Sequence, residues 1–425
     1  MADPDAILDD LQARGLIQDH TDLDLLRARL AEGPITVYAG FDPTGDSLHI
    51  GHLVPLLALR RFQQYGHHPI ALAGGATGMI GDPGGRSEER NLLDDVTVSG
   101  NVRAISGQLA RFLDFEAAAN PARLVDNRDW TAPMTVIDFL RDVGKHVTVN
   151  VMLGKESVRS RVEGEHGISY TEFSYMLLQA NDYWWLRDHM GCELQVGGSD
   201  QWGNITAGVD LIRRREGAHV HALTVPLVTR SDGSKFGKTA GGAVWLDGAR
   251  TSPYELFQYF LGVDDRDVER YLLQLTLVPV GEVGEVMAAH LEAPERRLAQ
   301  RRLAGAVTEL VHGPEARAEA EAASAGFTRQ AGSLTPEDFE TLAGTIPTTE
   351  IPAAEVVGAD LVDLASRIGL VGSKSEARRL LDQQGLYLND VAEGASRPIG
   401  TDDLAHGRWL LLRKGKKTRH LVVAG

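Results

Sequence analysis

Through its first half the chain alternates short runs rich in β-forming residues with longer stretches of helical period. That alternation suits a parallel sheet with crossover helices rather than an antiparallel meander. Strands are expected at 35–39, 69–74, 122–125, 193–196 and 222–228, several of them followed directly by glycine or a turn. The expected fold class is α/β, a doubly wound, Rossmann-like parallel sheet. Ligands of such sheets sit beyond the carboxyl ends of the strands, which directs attention to the glycine-rich segments there.

A length of 425 residues with 43% apolar and 24% charged side chains predicts two to four globular domains. The sheet-forming part is expected to span 1–229, with a mobile loop region at 230–249. Charged residues then recur at helical spacing, predicting a compact helical domain over 250–312. The 313–358 segment, rich in Ala, Glu, Pro, Thr and Gly, reads as a linker, and 359–425 as a small α+β module. From residue 366 onward 11 Lys and Arg stand against 6 Asp and Glu, a basic tail on a chain of formal charge −16. A local basic patch is the usual footprint of nucleic-acid contact, whereas the overall charge argues against nonspecific coating of nucleic acid.

The single cysteine, Cys192, excludes an intrachain disulfide and a multi-cysteine metal site, so no protein-bound metal is expected. The opening residues are acidic where a secretory leader needs a basic and then an apolar region, and no apolar run reaches spanning length. The cytoplasm, without membrane contact, is the expected location.

Two segments have the makings of phosphate sites. The first, Tyr38-Ala-Gly-Phe-Asp-Pro-Thr-Gly-Asp-Ser-Leu-His-Ile-Gly-His52, leads from a strand into a helix start, where backbone N–H groups and the dipole favour anions. His49 and His52 lie three apart with Gly51 between them, so two imidazoles can donate to phosphate oxygens while the glycine lets a nucleotide approach. The same string also fits two ordinary capping histidines. The second segment, Arg230-Ser-Asp-Gly-Ser-Lys235-Phe-Gly-Lys238-Thr239, sets two lysines three apart on a glycine-punctuated loop. It fits a lid over a leaving pyrophosphate, and equally a solvated basic loop. A third segment places Tyr175, Gln179 and Asp182 at i, i+4 and i+7, one face of a helix that either lines a pocket or forms a polar edge.

The His-Ile-Gly-His string together with Lys-Phe-Gly-Lys-Thr, a variant of the Lys-Met-Ser-Lys-Ser loop, resembles the class I aminoacyl-tRNA synthetases. The resemblance narrows to the bacterial-type tyrosyl-tRNA synthetases through four further segments. These are Gly40-Phe-Asp-Pro-Thr44, Gly74-Gly-Ala-Thr-Gly-Met-Ile-Gly-Asp-Pro83, Thr171-Glu-Phe-Ser-Tyr-Met-Leu-Leu-Gln-Ala-Asn-Asp182 and Gly197-Gly-Ser-Asp-Gln-Trp-Gly-Asn-Ile205. It covers essentially the whole chain.

The resemblance implies that Asp182 and Tyr38 hydrogen-bond a tyrosine phenol, while Tyr175, Gln179 and Asp82 hold its ammonium group. It implies that Gly40, Asp42, His49, Gly51, His52, Gly198 and Asp200 surround ATP, with Asp200 on a ribose hydroxyl and Gln201 on the substrate carboxyl or ribose. Thr44, His49, His52, Lys235, Lys238 and Thr239 would stabilise charge at the reacting phosphate, and Arg86 and Arg90 would meet pyrophosphate or the tRNA end. Asp82 alone also reads as a turn aspartate before Pro83, and the two arginines as a solvated basic loop. The tail resembles the RNA-binding fold named after small-subunit ribosomal protein S-four, which implicates Arg378, Arg379, Lys414, Lys416 and Lys417 in tRNA contact.

The implied reaction joins L-tyrosine to tRNA(Tyr) through tyrosyl-adenylate, with Mg2+ arriving as Mg·ATP and the chain acting as a homodimer. No editing domain is expected, because a buried acceptor left unpaired by phenylalanine already penalises that amino acid. Ala39, Asn181, Arg86 and Pro55 depart from the common pattern, and none of them removes a charge at the phosphate. A tryptophan-specific sister enzyme shares the class signatures but gives Asp182 and Tyr38 no phenol to meet. A noncatalytic RNA-binding relative would have no use for both histidines and both lysines, and a stand-alone nucleotidyltransferase would lack the helical and tail regions.

Overall fold

The computed structural model describes residues 3–84, 92–164, 167–231, 236–239, 242–326, 331–343, 346–415 and 418–425. They gather into two compact units, one of Met1–Arg250 with Val263–Leu303 and one of Thr251–Gly262 with Ala304–Gly425. No helix among the described residues is long and apolar enough to cross a membrane.

The first unit is built on a parallel sheet of β1 (Thr36–Phe41), β2 (His68–Ala73), β3 (Arg123–Asp126), β4 (Cys192–Gly198) and β5 (His221–Val225). All five strands lie where the sequence pattern puts them, in the spatial order β3-β2-β1-β4-β5. Neighbours are parallel throughout, for example Tyr38 opposite Ile70 on one side and Gln195 on the other. Helices cover both faces, so the central strands read as apolar runs; Val37, Tyr38 and Ala39 are all buried in β1. The order reverses between β1 and β4, and a cleft opens there at the strands' carboxyl ends.

The longest helix, Tyr170–Met190, starts where the Ser169 hydroxyl accepts from Glu172 N and stops at Gly191, which takes the left-handed conformation at φ 64°. It packs against the Trp202–Glu216 helix. Contact is close because Gly208 presents no side chain: a Cβ there would lie 3.0 Å from the Tyr183 ring. Each large apolar side chain buried in this way contributes about 1.5–3 kcal/mol. A two-stranded ribbon, β6 (Lys238–Thr239) with β7 (Gly242–Ala243), follows the sheet.

The second unit holds a mixed sheet of β8 (Thr348–Ile351), β9 (Leu386–Leu388), β10 (Val391–Glu393), β11 (Trp409–Lys414) and β12 (Thr418–Ala424). Both of its faces are covered. Leu410, Leu412 and Val422 turn toward the Leu361–Arg367 helix, while Trp409, Leu411 and Leu421 turn toward Phe339, Leu342 and Tyr254.

This arrangement corrects two expectations. The 313–358 segment is not a linker: it contains the helices Pro314–Gly326 and Pro336–Ala343 and strand β8. Phe339 is fully buried and stacks on Trp409 at 5.3 Å with 6° between planes. The helices of 250–312 do not form a separate compact domain either. Pro253–Leu261 packs on Pro314–Gly326, whereas Asp265–Leu275 packs on Leu53–Gln64 of the first unit. Each has an apolar face, with Phe257 and Phe260 on one and Val268 and Leu272 on the other, and buries it against its own unit.

Candidate active site

A cavity of about 590 Å³ occupies the cleft, floored by the ends of β1 and β4 and walled by the Tyr170–Met190 helix. A second of about 340 Å³ adjoins it, and the two share Asp42, Thr44, His49 and His52.

At the deep end, Asp182 is 2% exposed. Its Oδ1 accepts from Trp130 Nε1 at 2.8 Å and its Oδ2 from Asn127 Nδ2 at 2.9 Å. Burial pushes the Asp182 carboxyl up to about 7, against the pull of these two donors. The Tyr38 hydroxyl, buried beside it, has no hydrogen-bond partner among the described residues. A buried carboxyl acceptor and an unspent hydroxyl at the end of an aromatic-lined slot suit a phenol O–H. Gln195 shares this floor, with its Oε1 likewise lacking a partner among the described residues.

In the middle of the cavity carboxylates gather. Tyr175 Oη donates to Asp42 Oδ2 at 2.8 Å, and Thr77 Oγ1 donates to Asp42 Oδ1 at 2.7 Å. Asp82 Oδ2 accepts from Gln201 Nε2 at 2.7 Å and from Asn204 Nδ2 at 3.4 Å, while Gly84 N donates to its Oδ1. Gln179 lines the same wall. Such a ring of acceptors suits an ammonium group. Two glycines make room for it: a Cβ on Gly74 would lie 2.1 Å from Asp42 Oδ1, and one on Gly198 would lie 2.6 Å from Asp200 Oδ1. Gly40 and Asp200 complete this stretch of the lining.

At the open end stand the histidines. His49 caps the short 3-10 turn Ile50–His52, and its Nδ1 accepts from Gly51 N at 3.1 Å, while His52 Nδ1 accepts from His49 N at the same distance. A neutral ring whose Nδ1 accepts carries its proton on Nε2, so backbone geometry sets both rings as Nε2–H donors. The surrounding protein, and then His49, push His52 down to about 3, so it is neutral at pH 7. The rings stack at 4.0 Å. Gly51 is needed for this arrangement, since a Cβ would lie 2.8 Å from the His49 ring. Capping and ligand donation are therefore not alternatives: Nδ1 caps and Nε2 remains the donor. Pro55 sits in the first turn of Leu53–Gln64, where its missing N–H costs nothing.

The segment after the second motif pairs with the first. Ile50 N donates to Val244 O at 3.0 Å, and Leu246 N donates to Leu48 O at 2.8 Å. Gly237 is anchored by Val244 N, and Phe236 reaches the cavity wall. Lys238 and Thr239 form β6, which pairs with β7 immediately before Val244. Lys235, Arg86 and Arg90 lie outside the described residues.

Sequence reasoning missed Asn127, Trp130, Thr77, Gln195 and Asn204. The glycine-rich 74–78 turn and the strand end before Asn127 were visible signals; the pairing of Asn127 and Trp130 with Asp182, 55 and 52 residues away, was not. Of the departures from the common pattern, Ala39 and Asn181 are buried outside the cavity lining. In the second unit Arg378 and Arg379 are exposed on the Lys374–Asp382 helix. Lys414 donates to Glu376 at 2.6 Å, and Lys416 and Lys417 lie outside the described residues.

The chain matches the family of class I tRNA synthetases for tryptophan and tyrosine over residues 30–328, and the SYY-like C-terminal domain of tyrosine–tRNA ligases over 338–422. It is 55% identical to a tyrosine–tRNA ligase of Opitutus terrae, over 98% of this chain and 99% of that one. It is 51% identical to that of Roseiflexus castenholzii, again over 98% and 99%. Among solved structures, a C-terminally truncated mitochondrial tyrosyl-tRNA synthetase of Aspergillus nidulans superposes with a TM-score of 0.70 at 32% identity, covering 76% of this chain and 94% of that one. The match runs over nearly the whole chain, and the chain belongs to the class I aminoacyl-tRNA synthetases, within the tyrosine–tRNA ligases.

Proposed function

We propose that this ligase activates L-tyrosine in the cleft of its first unit, through the residues gathered there, and works in the cytoplasm on tRNA(Tyr). The tyrosine carboxylate attacks the α-phosphate of Mg·ATP in line. Tyrosyl-adenylate forms and pyrophosphate leaves, and a ribose hydroxyl of the tRNA 3′-terminal adenosine then takes the tyrosyl group. No protein nucleophile is needed.

The observation that carries the residue assignment is the layout of one cavity: the buried Asp182 and Tyr38 at its closed end, His49 and His52 at its open end. Asp182 accepts the phenol O–H, and Asp82, Tyr175 and Gln179 face the ammonium group. Gly40, Asp42, Gly51, Gly198 and Asp200 accommodate the nucleotide, with Gln201 at the substrate carboxyl. Catalysis comes from position and from N–H and O–H donors aimed at phosphate oxygens, His49 and His52 with Lys235 and Lys238, and the hydroxyls of Thr44 and Thr239. Arg86 and Arg90 serve pyrophosphate or the tRNA end. The exposed Arg378 and Arg379 contact tRNA phosphates, together with Lys416 and Lys417, whereas Lys414 is partly neutralised by Glu376.

The test is exchange of labelled pyrophosphate into ATP without tRNA, comparing tyrosine, phenylalanine and tryptophan. Exchange with tyrosine alone is expected. Exchange with phenylalanine at a comparable kcat/KM would overturn the role of Asp182, and exchange with tryptophan would redirect the pocket to an indole.

A further inference from the structure

The Tyr170–Met190 helix carries Asp182, Trp185 and His189 at i, i+3 and i+7, a single stripe along its surface. Trp130, from the short Arg128–Thr131 helix after β3, lies flat on Trp185, with ring centroids 4.2 Å apart and 10° between planes. Trp185 stacks as well on His189, at 4.3 Å and 7°. His189 is itself tied down by a hydrogen bond from its Nδ1 to Trp185 O at 3.0 Å. The three rings thus lead from the half-exposed surface of the helix to the indole whose N–H holds Asp182.

An indole N–H bond is directional, and Trp130 sits on a helix of only four residues, too short to fix the tilt of so large a ring. The ring is buried in a core with Tyr38, Ile70, Leu72, Tyr183 and Leu186, and Trp185 lies flat against one of its faces. We infer that Trp185 is a positioning residue for amino-acid selection: by stacking on Trp130 it aims the indole N–H at Asp182 and so keeps that carboxylate fit to accept a phenol. Without Trp185 the Trp130 ring loses the support of one face and its N–H can tilt off line, Asp182 retains Asn127 as its donor, and its charged form is less well held in a buried site. None of the three rings lines the cavity.

The inference rests on the reading of Asp182 as the phenol acceptor, and the test separates the two. Trp185→Ala, Trp185→Phe and Asp182→Asn are made in the full chain and assayed by pyrophosphate exchange with tyrosine and phenylalanine. Trp185→Ala is expected to raise KM for tyrosine roughly tenfold and to lower the tyrosine-to-phenylalanine ratio of kcat/KM by a similar factor. Its kcat and its KM for ATP stay within about twofold of the parent, since only ground-state and transition-state contacts to the phenol are shared out. Trp185→Phe, which keeps a flat ring, restores most of the loss. Should Asp182→Asn destroy selection while Trp185→Ala leaves it intact, the positioning role is overturned and the pocket reading stands. Should Asp182→Asn leave selection intact, both fall. Equal damage to kcat, both KM values and selection in Trp185→Ala and Trp185→Phe would show a structural role only, which also overturns the inference.

Discussion

His49 pairs with Trp245 in a single antiparallel bridge, so the histidine turn is joined through backbone to the segment that follows the Lys-Phe-Gly-Lys-Thr motif. The bridge fixes the His49 main chain, whose N–H sets the tautomer of His52. A donor pointed at phosphate before substrate arrives needs no reorganisation when charge builds. Removing the donor in His52→Ala is therefore expected to lower kcat of adenylate formation by about 10²–10³-fold with KM for tyrosine unchanged. His52→Asn, which keeps an N–H donor, should recover part of it. Single-turnover adenylate formation checks both, and a collapse of tyrosine affinity in His52→Ala would sink the assignment.

The buried Asp182 makes a prediction about pH. Its carboxyl titrates near 7 in the fold against an ordinary 3.8, so between those values the folded chain binds the proton more tightly than the unfolded one. Stability from this group is present below about pH 4 and is lost as pH rises toward 7. The Tm of the ligand-free protein, taken relative to Asp182→Asn, should fall between pH 5 and pH 8. A constant difference would show that the carboxyl is not held protonated. On the proposed reading the phenol donates to the ionised carboxylate, so KM for tyrosine should drop across the same window in the parent and stay flat in the variant.

Much of this was readable from residues in a row. The five parallel strands show because buried strands are apolar throughout and end in glycines, and the histidine turn shows because its spacing is local. The connections that tune the site join distant positions: Tyr175 to Asp42 spans 133 residues, and the donors to Asp182 come from another element. No spacing rule reports them. The 313–358 segment misled for a different reason. Its helix Pro314–Gly326 packs through alanines, Ala320 and Ala323 both being buried, and a core built of small side chains looks in sequence like a polar connector. Strand β8 is paired in parallel with β12, about 70 residues on, which again leaves no local mark.

Asp267 is expected to govern the nucleotide without touching it. Its buried carboxylate accepts from Ser231 N at 3.1 and 3.0 Å and from Ser231 Oγ, and pairs with Arg270 at 2.6 Å. Tyr271 Oη donates to Thr229 O at 2.8 Å and its ring meets Phe236 at 5.0 Å, so the Asp265–Leu275 helix grips both sides of the basic loop. Asp267→Ala leaves Ser231 N without this acceptor, at a cost of about 1–3 kcal/mol. It should raise KM for ATP roughly tenfold or more while tyrosine affinity, read by equilibrium binding, is unchanged. Equal loss of both would point to general unfolding of the unit.

The last prediction concerns assembly. Val136, Ile137, Leu140, Val149 and Leu153 are 73, 69, 47, 57 and 40% exposed. They lie on the Val136–Asp142 and Val149–Leu153 helices, and Val143, just after the first, and Met152, within the second, share one core cluster. Water disfavours so many exposed branched side chains on adjacent short helices unless something covers them. A second copy of the chain would meet this need with the same patch, because a two-fold interface is self-complementary. Sedimentation should give a species of twice the 46.1 kDa chain at micromolar concentration. The double variant Ile137→Asp, Leu140→Asp places like charges across the two-fold axis and should sediment as single chains with its circular dichroism intact. A parent that sediments as single chains would overturn the pairing, and a double variant that still pairs would place the interface elsewhere.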